Sequence, residues 1–159
     1  MILYDLKKLR PIKVHDLIRI GKTSDGGYII SKAQLEITDT LLSFGISTDW
    51  SFEEHYKELS ARNIKLYAFD GSVSDSIFKT KCYQYMLFTI VRALTGNISK
   101  AKINKKLYDF YLKITKDFKN FFSPKSNNYF IQKFLGSKES DTHTNIETIF
   151  DEYIKKGGG

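Results

Sequence analysis

Two short stretches of this chain carry residue types suited to holding a nucleotide-like ligand. In Ser43-Phe44-Gly45-Ile46-Ser47 a glycine stands where an apolar run ends, followed by Ser47 and Thr48 hydroxyls ahead of a helix. Glycine lets backbone approach a ligand closely, and a helix start offers unpaired N–H groups. Asp70 stands 25 residues after Gly45, directly after Tyr67-Ala68-Phe69. An acidic residue roughly 20 residues beyond the glycine loop is placed to accept ribose hydroxyls. A pyrophosphate would need several closely approached N–H groups, and this loop has one glycine where a dinucleotide loop has three. An adenosyl cofactor without phosphates therefore fits the loop better than a dinucleotide. A structural unit that binds nothing stays open as the alternative.

Those residues need elements to hold them. Leu41-Leu42-Ser43-Phe44 reads as a short buried parallel strand, and Ile64 to Phe69 as a second. Ser51-Phe52-Glu53-Glu54 has the pattern of a capping box, opening a helix to about Ala61 with Phe52, Tyr56 and Leu59 on one face. Residues 41–70 are thus expected to be a strand–helix–strand unit with its ligand at the strands' C-terminal ends. Upstream, Pro11 interrupts any helix, Gly21 to Gly27 is a turn-rich loop, and Tyr28-Ile29-Ile30 reads as a short strand. Downstream, Tyr83, Met86, Leu87, Ile90 and Leu94 recur at helical spacing, as do Ile103, Leu107, Phe110, Ile114, Phe118 and Phe121. Gly96-Asn97 separates the two runs and Ser123-Pro124 ends the second, so a helical pair is expected over residues 76–125. Asn128 to Gly136 reads as a third strand, and Thr144-Asn145-Ile146-Glu147 as a second capping box, with its helix running to about Ile154.

A chain of 159 residues with 42% hydrophobic and 27% charged residues is expected to form one globular α/β domain. No apolar run reaches the roughly 20 residues of a membrane span, and the first residues lack an apolar leader core. The single cysteine, Cys82, cannot form an internal disulfide, and a cytoplasmic location is expected. The net charge of +7 is concentrated: residues 76–125 hold 11 Lys/Arg against 2 Asp/Glu, and the rest of the chain 14 against 16. That segment could face nucleic acid, a membrane surface or a phosphorylated substrate, or be a solvated helical face. Helical periodicity argues that its aromatics are core rather than a base-stacking platform, which counts against nucleic acid. His15, His55 and His143 lie far apart with no second ligand at metal spacing, so no metal site is expected. No nucleophile-elbow or Walker pattern occurs, and no catalytic residue is assigned.

Taken in order, Arg19-Ile20-Gly21 with Asp25-Gly26-Gly27-Tyr28, then Leu42-Ser43-Phe44-Gly45-Ile46 with Trp50-Ser51-Phe52-Glu53, then Tyr67-Ala68-Phe69-Asp70 resemble the FkbM-type methyltransferase family. The resemblance covers residues 17–72, returns more weakly over 128–153, and omits 76–125. It implies a Rossmann-like methyltransferase fold with S-adenosyl-L-methionine as cofactor and a hydroxyl of a sugar, glycan or small molecule as methyl acceptor. By that resemblance Phe44, Gly45 and Ile46 form the cofactor loop, with Ser47 where the family has a second glycine. Asp70 holds the ribose, while Asp25, Gly26, Gly27 and Tyr28 fold over the methionyl end, near Glu53. Helix-dipole complementarity is the competing account of Glu53. The family continues into a Lys-x-Asp-Ile-Glu-Gly strand that this sequence does not contain. The fold is accordingly expected to be incomplete, with an exposed sheet edge that promotes homo-oligomers. The rival function is a non-catalytic polyanion- or nucleic-acid-binding module built on the basic segment.

Overall fold

The computed structural model describes residues 13–23 and 27–155. The expectations for Pro11, Asp25, Gly26 and the terminal glycines fall outside them. In chain order, β1 (Leu17–Ile20) and β2 (Tyr28–Ser31) form an antiparallel hairpin leading into α1 (Lys32–Ile37). Then come β3 (Thr40–Phe44), α2 (Ser51–Leu59), β4 (Lys65–Phe69), the long pair α3 (Asp75–Leu94) and α4 (Ile98–Phe121), and β5 (Asn128–Ile131). A short parallel pair, β6 (Phe134–Leu135) and β7 (His143–Thr144), precedes α5 (Ile146–Ile149), which continues as a π-helical turn over Phe150–Lys155.

The centre is a parallel sheet in the order β3-β4-β5, with Phe44 beside Phe69 and Phe69 beside Ile131. In β4 the consecutive residues Leu66, Tyr67, Ala68 and Phe69 are all buried. That is why its sequence is a continuous apolar run rather than an alternating one: both faces of this strand are covered. On one face Ala68 and Phe130 meet Ile46, Trp50, Val73, Phe78 and Phe118. On the other Tyr67 and Phe69, with Leu42, Tyr129 and Ile131, meet Ile149 and Tyr153. A third cluster of Ile20, Leu35, Tyr56 and Ile64 ties the β1–β2 hairpin and α1 to α2. The molecule is therefore a mixed α/β structure, with helices on both faces of a three-stranded parallel sheet. Among the described residues β3 and β5 each pair with β4 alone.

Several local expectations are corrected. Ser51 does not cap α2: the N-cap position is Trp50, the Ser51 hydroxyl is buried without a hydrogen-bond partner, and Asp49 accepts from the Ser51 N–H at 3.1 Å. Asp49 thus serves the first amide of α2, and no side chain caps the helix. The third strand stops at Ile131, where Lys133 N–H turns back onto the Ile131 carbonyl at 2.9 Å. Phe134 and Leu135 pair with His143 and Thr144 in a separate small sheet. Thr144 lies in that sheet, so Asn145 is the cap of α5 and accepts from Thr148 N–H at 2.8 Å. The basic helical pair forms as expected, with Asn97 capping α4, but its apolar positions divide. Phe78, Cys82 and Phe118 are buried, whereas Tyr83, Leu87, Leu94, Ile103 and Phe110 are exposed.

Candidate functional site

The loop from Gly45 to Asp49 leaves β3 in an unusual backbone path. Gly45 has φ +70°, and Ser47, two residues on, has φ +50°. The left-handed region costs an L-residue roughly 1–2 kcal/mol, which glycine avoids and Ser47 does not. Two bonds hold the path. Gly45 N–H donates to the Phe69 carbonyl at 2.9 Å, continuing the β3–β4 ladder, and Ser47 N–H donates to Asp70 Oδ2 at 2.8 Å. The Ser47 hydroxyl, which the sequence offered as the polar group, makes no hydrogen bond among the described residues; its backbone amide does the holding.

Asp70 lies at the C-terminal end of β4 and is 5% exposed. Besides Ser47, it accepts from Ser72 N–H at 2.7 Å and from the Ser72 hydroxyl at 2.6 Å, both on Oδ1. A carboxylate has about four lone-pair positions, so three are committed and one, on Oδ2, has no partner among the described residues. Asp70 is thus a clamp joining the loop after β3 to the loop after β4, and only secondarily a free acceptor. It borders a cavity of about 440 Å³ with Phe44, Gly45, Ser47, Phe69, Ser72, Phe134 and Leu135. Phe134 reaches this place by lying over Gly71, where an added Cβ would stand 2.3 Å from the ring. Sequence reasoning missed Phe134; the Asp70-Gly71 pair was the available signal that something must pass close above that turn.

On the other side of the same loop is a larger cavity of about 640 Å³, bounded by Tyr28, Ser43, Phe44, Gly45, Ser47, Phe52 and Glu53. Both cavities share Phe44, Gly45 and Ser47 as a common lip, and both are within the size range of ligand pockets, roughly 300–1,000 Å³. A Cβ added at Gly45 would meet nothing within 4 Å. The space above it is open.

Glu53 is 5% exposed, and Ser43 donates a hydrogen bond to its Oε1. Glu53 stands in the first turn of α2, where a carboxylate complements the helix dipole, and its side chain turns inward toward β3. Burial pushes its carboxyl above the ordinary value of 4.5, against the Ser43 bond, with Asp49 repulsion acting the same way as burial. The folded chain thus holds a proton that the unfolded chain releases. That contribution is complete below pH 4.5 and is lost as pH rises through the folded value. Glu53→Gln keeps the acceptor for Ser43 and carries no charge. Its melting temperature is expected to exceed the parent's at pH 7.5 and to converge with it near pH 4, by calorimetry across that range. A constant offset at all pH values would contradict a proton-linked cost at Glu53.

The remaining expected residues separate. Tyr28 is 60% exposed over the larger cavity, with its ring edge-on to Phe52 at 5.0 Å. Gly27 serves packing: an added Cβ would stand 2.1 Å from the Lys22 carbonyl and 2.6 Å from the Arg19 guanidinium. That guanidinium holds the loop by donating to the Lys22 and Thr23 carbonyls. Ile46 borders the larger cavity but is 5% exposed and belongs to the core beside Trp50. Asp49, also unassigned by sequence, pairs with Lys22 at 2.9 Å and fixes the hairpin loop to the start of α2. Among the described residues no group of three or more His, Cys, Asp or Glu side chains could hold a metal ion, and no helix is long and apolar enough to cross a membrane. No family model, curated protein or solved structure matches this chain.

Proposed function

We propose that this chain binds S-adenosyl-L-methionine on a Rossmann-like methyltransferase fold and serves methyl transfer to a hydroxyl of a sugar or small molecule. One observation carries the reading: Asp70 and the left-handed Gly45–Ser47 segment are hydrogen-bonded together at the C-terminal end of a parallel sheet, between two adjoining cavities. Ligands of open α/β sheets bind outside those strand ends. The donor set fits an adenosyl group better than a phosphate, because the charged group at the lip is an acceptor and the loop N–H of Ser47 is already committed to Asp70.

The bound cofactor would supply an electrophilic sulfonium methyl. The chain's own part is orientation, which in such reactions accounts for much of the rate. The remaining Asp70 lone pair would take a ribose hydroxyl, Phe44 and Phe134 would wall the smaller cavity, and Gly45 would let the ligand pass the lip. Tyr28, Phe52 and Glu53 line the larger cavity, where the methionyl end and acceptor would lie. Calorimetric titration with S-adenosylhomocysteine tests this. The parent chain is expected to show saturable binding that changes little with salt. Gly45→Ala, whose Cβ enters the shared lip, is expected to bind at least about tenfold more weakly, a difference of roughly 1.4 kcal/mol. Absence of binding by the parent chain, or equal binding by both, would remove the cofactor assignment.

A further inference from the structure

The far half of the α3–α4 hairpin is apolar and uncovered. From Tyr83 to Lys100 no residue is buried, although ten of the eighteen are apolar. Leu94 is 83% exposed, Leu87 57% and Ile98 53%. The seam between the helices explains this. Cys82 Sγ lies 3.9 Å from Thr115 Oγ1 and Tyr85 stacks on Tyr111 at 5.5 Å, so Phe78, Cys82, Tyr85 and Thr89 face α4. Tyr83, Leu87, Ile90 and Leu94 then fall on the opposite side of α3, with no element over them among the described residues. A contiguous uncovered apolar surface of this kind marks a place of contact.

The charges say with what. Residues 80–106 contain Lys81, Arg92, Lys100, Lys102, Lys105 and Lys106 and no carboxylate. Lys105 pairs with Asp109, and the other five make no ion pair among the described residues. Arg92 and Lys100, one from each helix, border a cleft of about 180 Å³ together with Phe88, Ile103 and Asn104, so cations and apolar side chains share one surface. A second copy would set two hairpin ends side by side, each with these six cations and no carboxylate. Nucleic acid would leave the aliphatic Leu87, Ile90, Val91, Leu94 and Ile98 facing water. We propose that the free end of the hairpin docks on an anionic lipid surface, its apolar side chains entering the headgroup boundary while its cations meet lipid phosphates. No span is required. Cys82 to Leu94 extends about 18 Å at about 1.5 Å per residue, more than the roughly 5–10 Å depth of an interfacial helix, so the α/β body stays clear.

The proposal does not depend on the cofactor reading, and its test uses no cofactor. The whole chain is floated with vesicles of phosphatidylcholine alone or with about 30% phosphatidylserine, an anionic content that attracts polybasic segments. Binding to the anionic vesicles only is expected, weakening as salt is raised. Lys100→Gln with Lys102→Gln is expected to weaken it at least about tenfold, and Leu94→Ser with Ile98→Ser to abolish it. Both apolar positions are more than half exposed, so the melting temperature should hold and loss of binding would not reflect unfolding. Each of these results would overturn the proposal: no binding to anionic vesicles, equal binding to neutral ones, undiminished binding by the serine variant, or a vesicle-free dimer that the serine variant breaks. Tight salt-sensitive binding of an oligonucleotide that the serine variant retains would assign the surface to nucleic acid instead.

Discussion

Phe118→Ala is expected to lower the stability of the whole domain by about 3–5 kcal/mol, a large share of a stability of roughly 5–15 kcal/mol. Phe118 is 6% exposed. Its ring meets Phe78 at 5.3 Å, Trp50 at 5.8 Å, Phe122 at 4.8 Å and Phe130 at 4.9 Å. Those partners come from α3, the start of α2, the end of α4 and β5, so one side chain joins the helical pair to the sheet. Truncation leaves a void walled by rigid rings that cannot collapse inward, the situation in which the cavity term is largest. Phe110→Ala is the control, since Phe110 is 46% exposed and should cost about 1 kcal/mol or less. Urea melts followed by Trp50 fluorescence and by helical dichroism should coincide in the parent and shift together in Phe118→Ala. Transitions that separate would mean that the α3–α4 hairpin folds on its own and that Phe118 does not couple it to the sheet.

The second large effect is expected at Asp70. Asp70→Ala removes the acceptor of three hydrogen bonds and leaves the Ser47 and Ser72 amides unmatched beside the core. Bonds to a charged group contribute about 1.5–3 kcal/mol each, and they are not additive within one network. A loss of about 3 kcal/mol is the reasonable expectation. Asp70→Asn should recover only part of it, because the amide presents an NH₂ to one of the two donor sets that now meet an oxygen. In both variants the loop is expected to leave its left-handed path, and binding of S-adenosylhomocysteine should vanish even at temperatures where the sheet remains folded. Stability equal to the parent's would show that Asp70 does not hold the loop. Lost stability with binding retained would separate the clamp from the ligand site.

Much of the candidate site was legible because its determinants are local. Gly45 was visible as the residue ending an apolar run, and its φ of +70° is a conformation that glycine adopts without penalty. Asp70 was visible because strand length and crossover length fix its distance from that glycine along the chain. The two long helices were legible from period and from Gly96-Asn97. The misreadings arose where two local solutions compete. Ser51 and Thr144 fit the capping pattern, but the helices begin one residue away from where that pattern puts them, and Asp49 and Asn145 accept from the Ser51 and Thr148 amides instead. Asn128 to Gly136 is apolar enough for one strand. Nothing local says that the chain bends at Lys133 to pair with His143 and Thr144.

The sequence by itself thus determined the β3–α2–β4 unit, the two long helices, the glycine at the loop and the aspartate opposite, since propensity, periodicity and turn chemistry act over a few residues. Only the tertiary structure decided that Glu53 turns inward to Ser43, that three of the Asp70 lone pairs go to Ser47 and Ser72, that Phe134 closes over Gly71, and that no other described element covers the outer side of α3. Each depends on which surfaces meet across long stretches of chain. Residue type records that a side chain is apolar or charged; only the packed fold decides what stands opposite it.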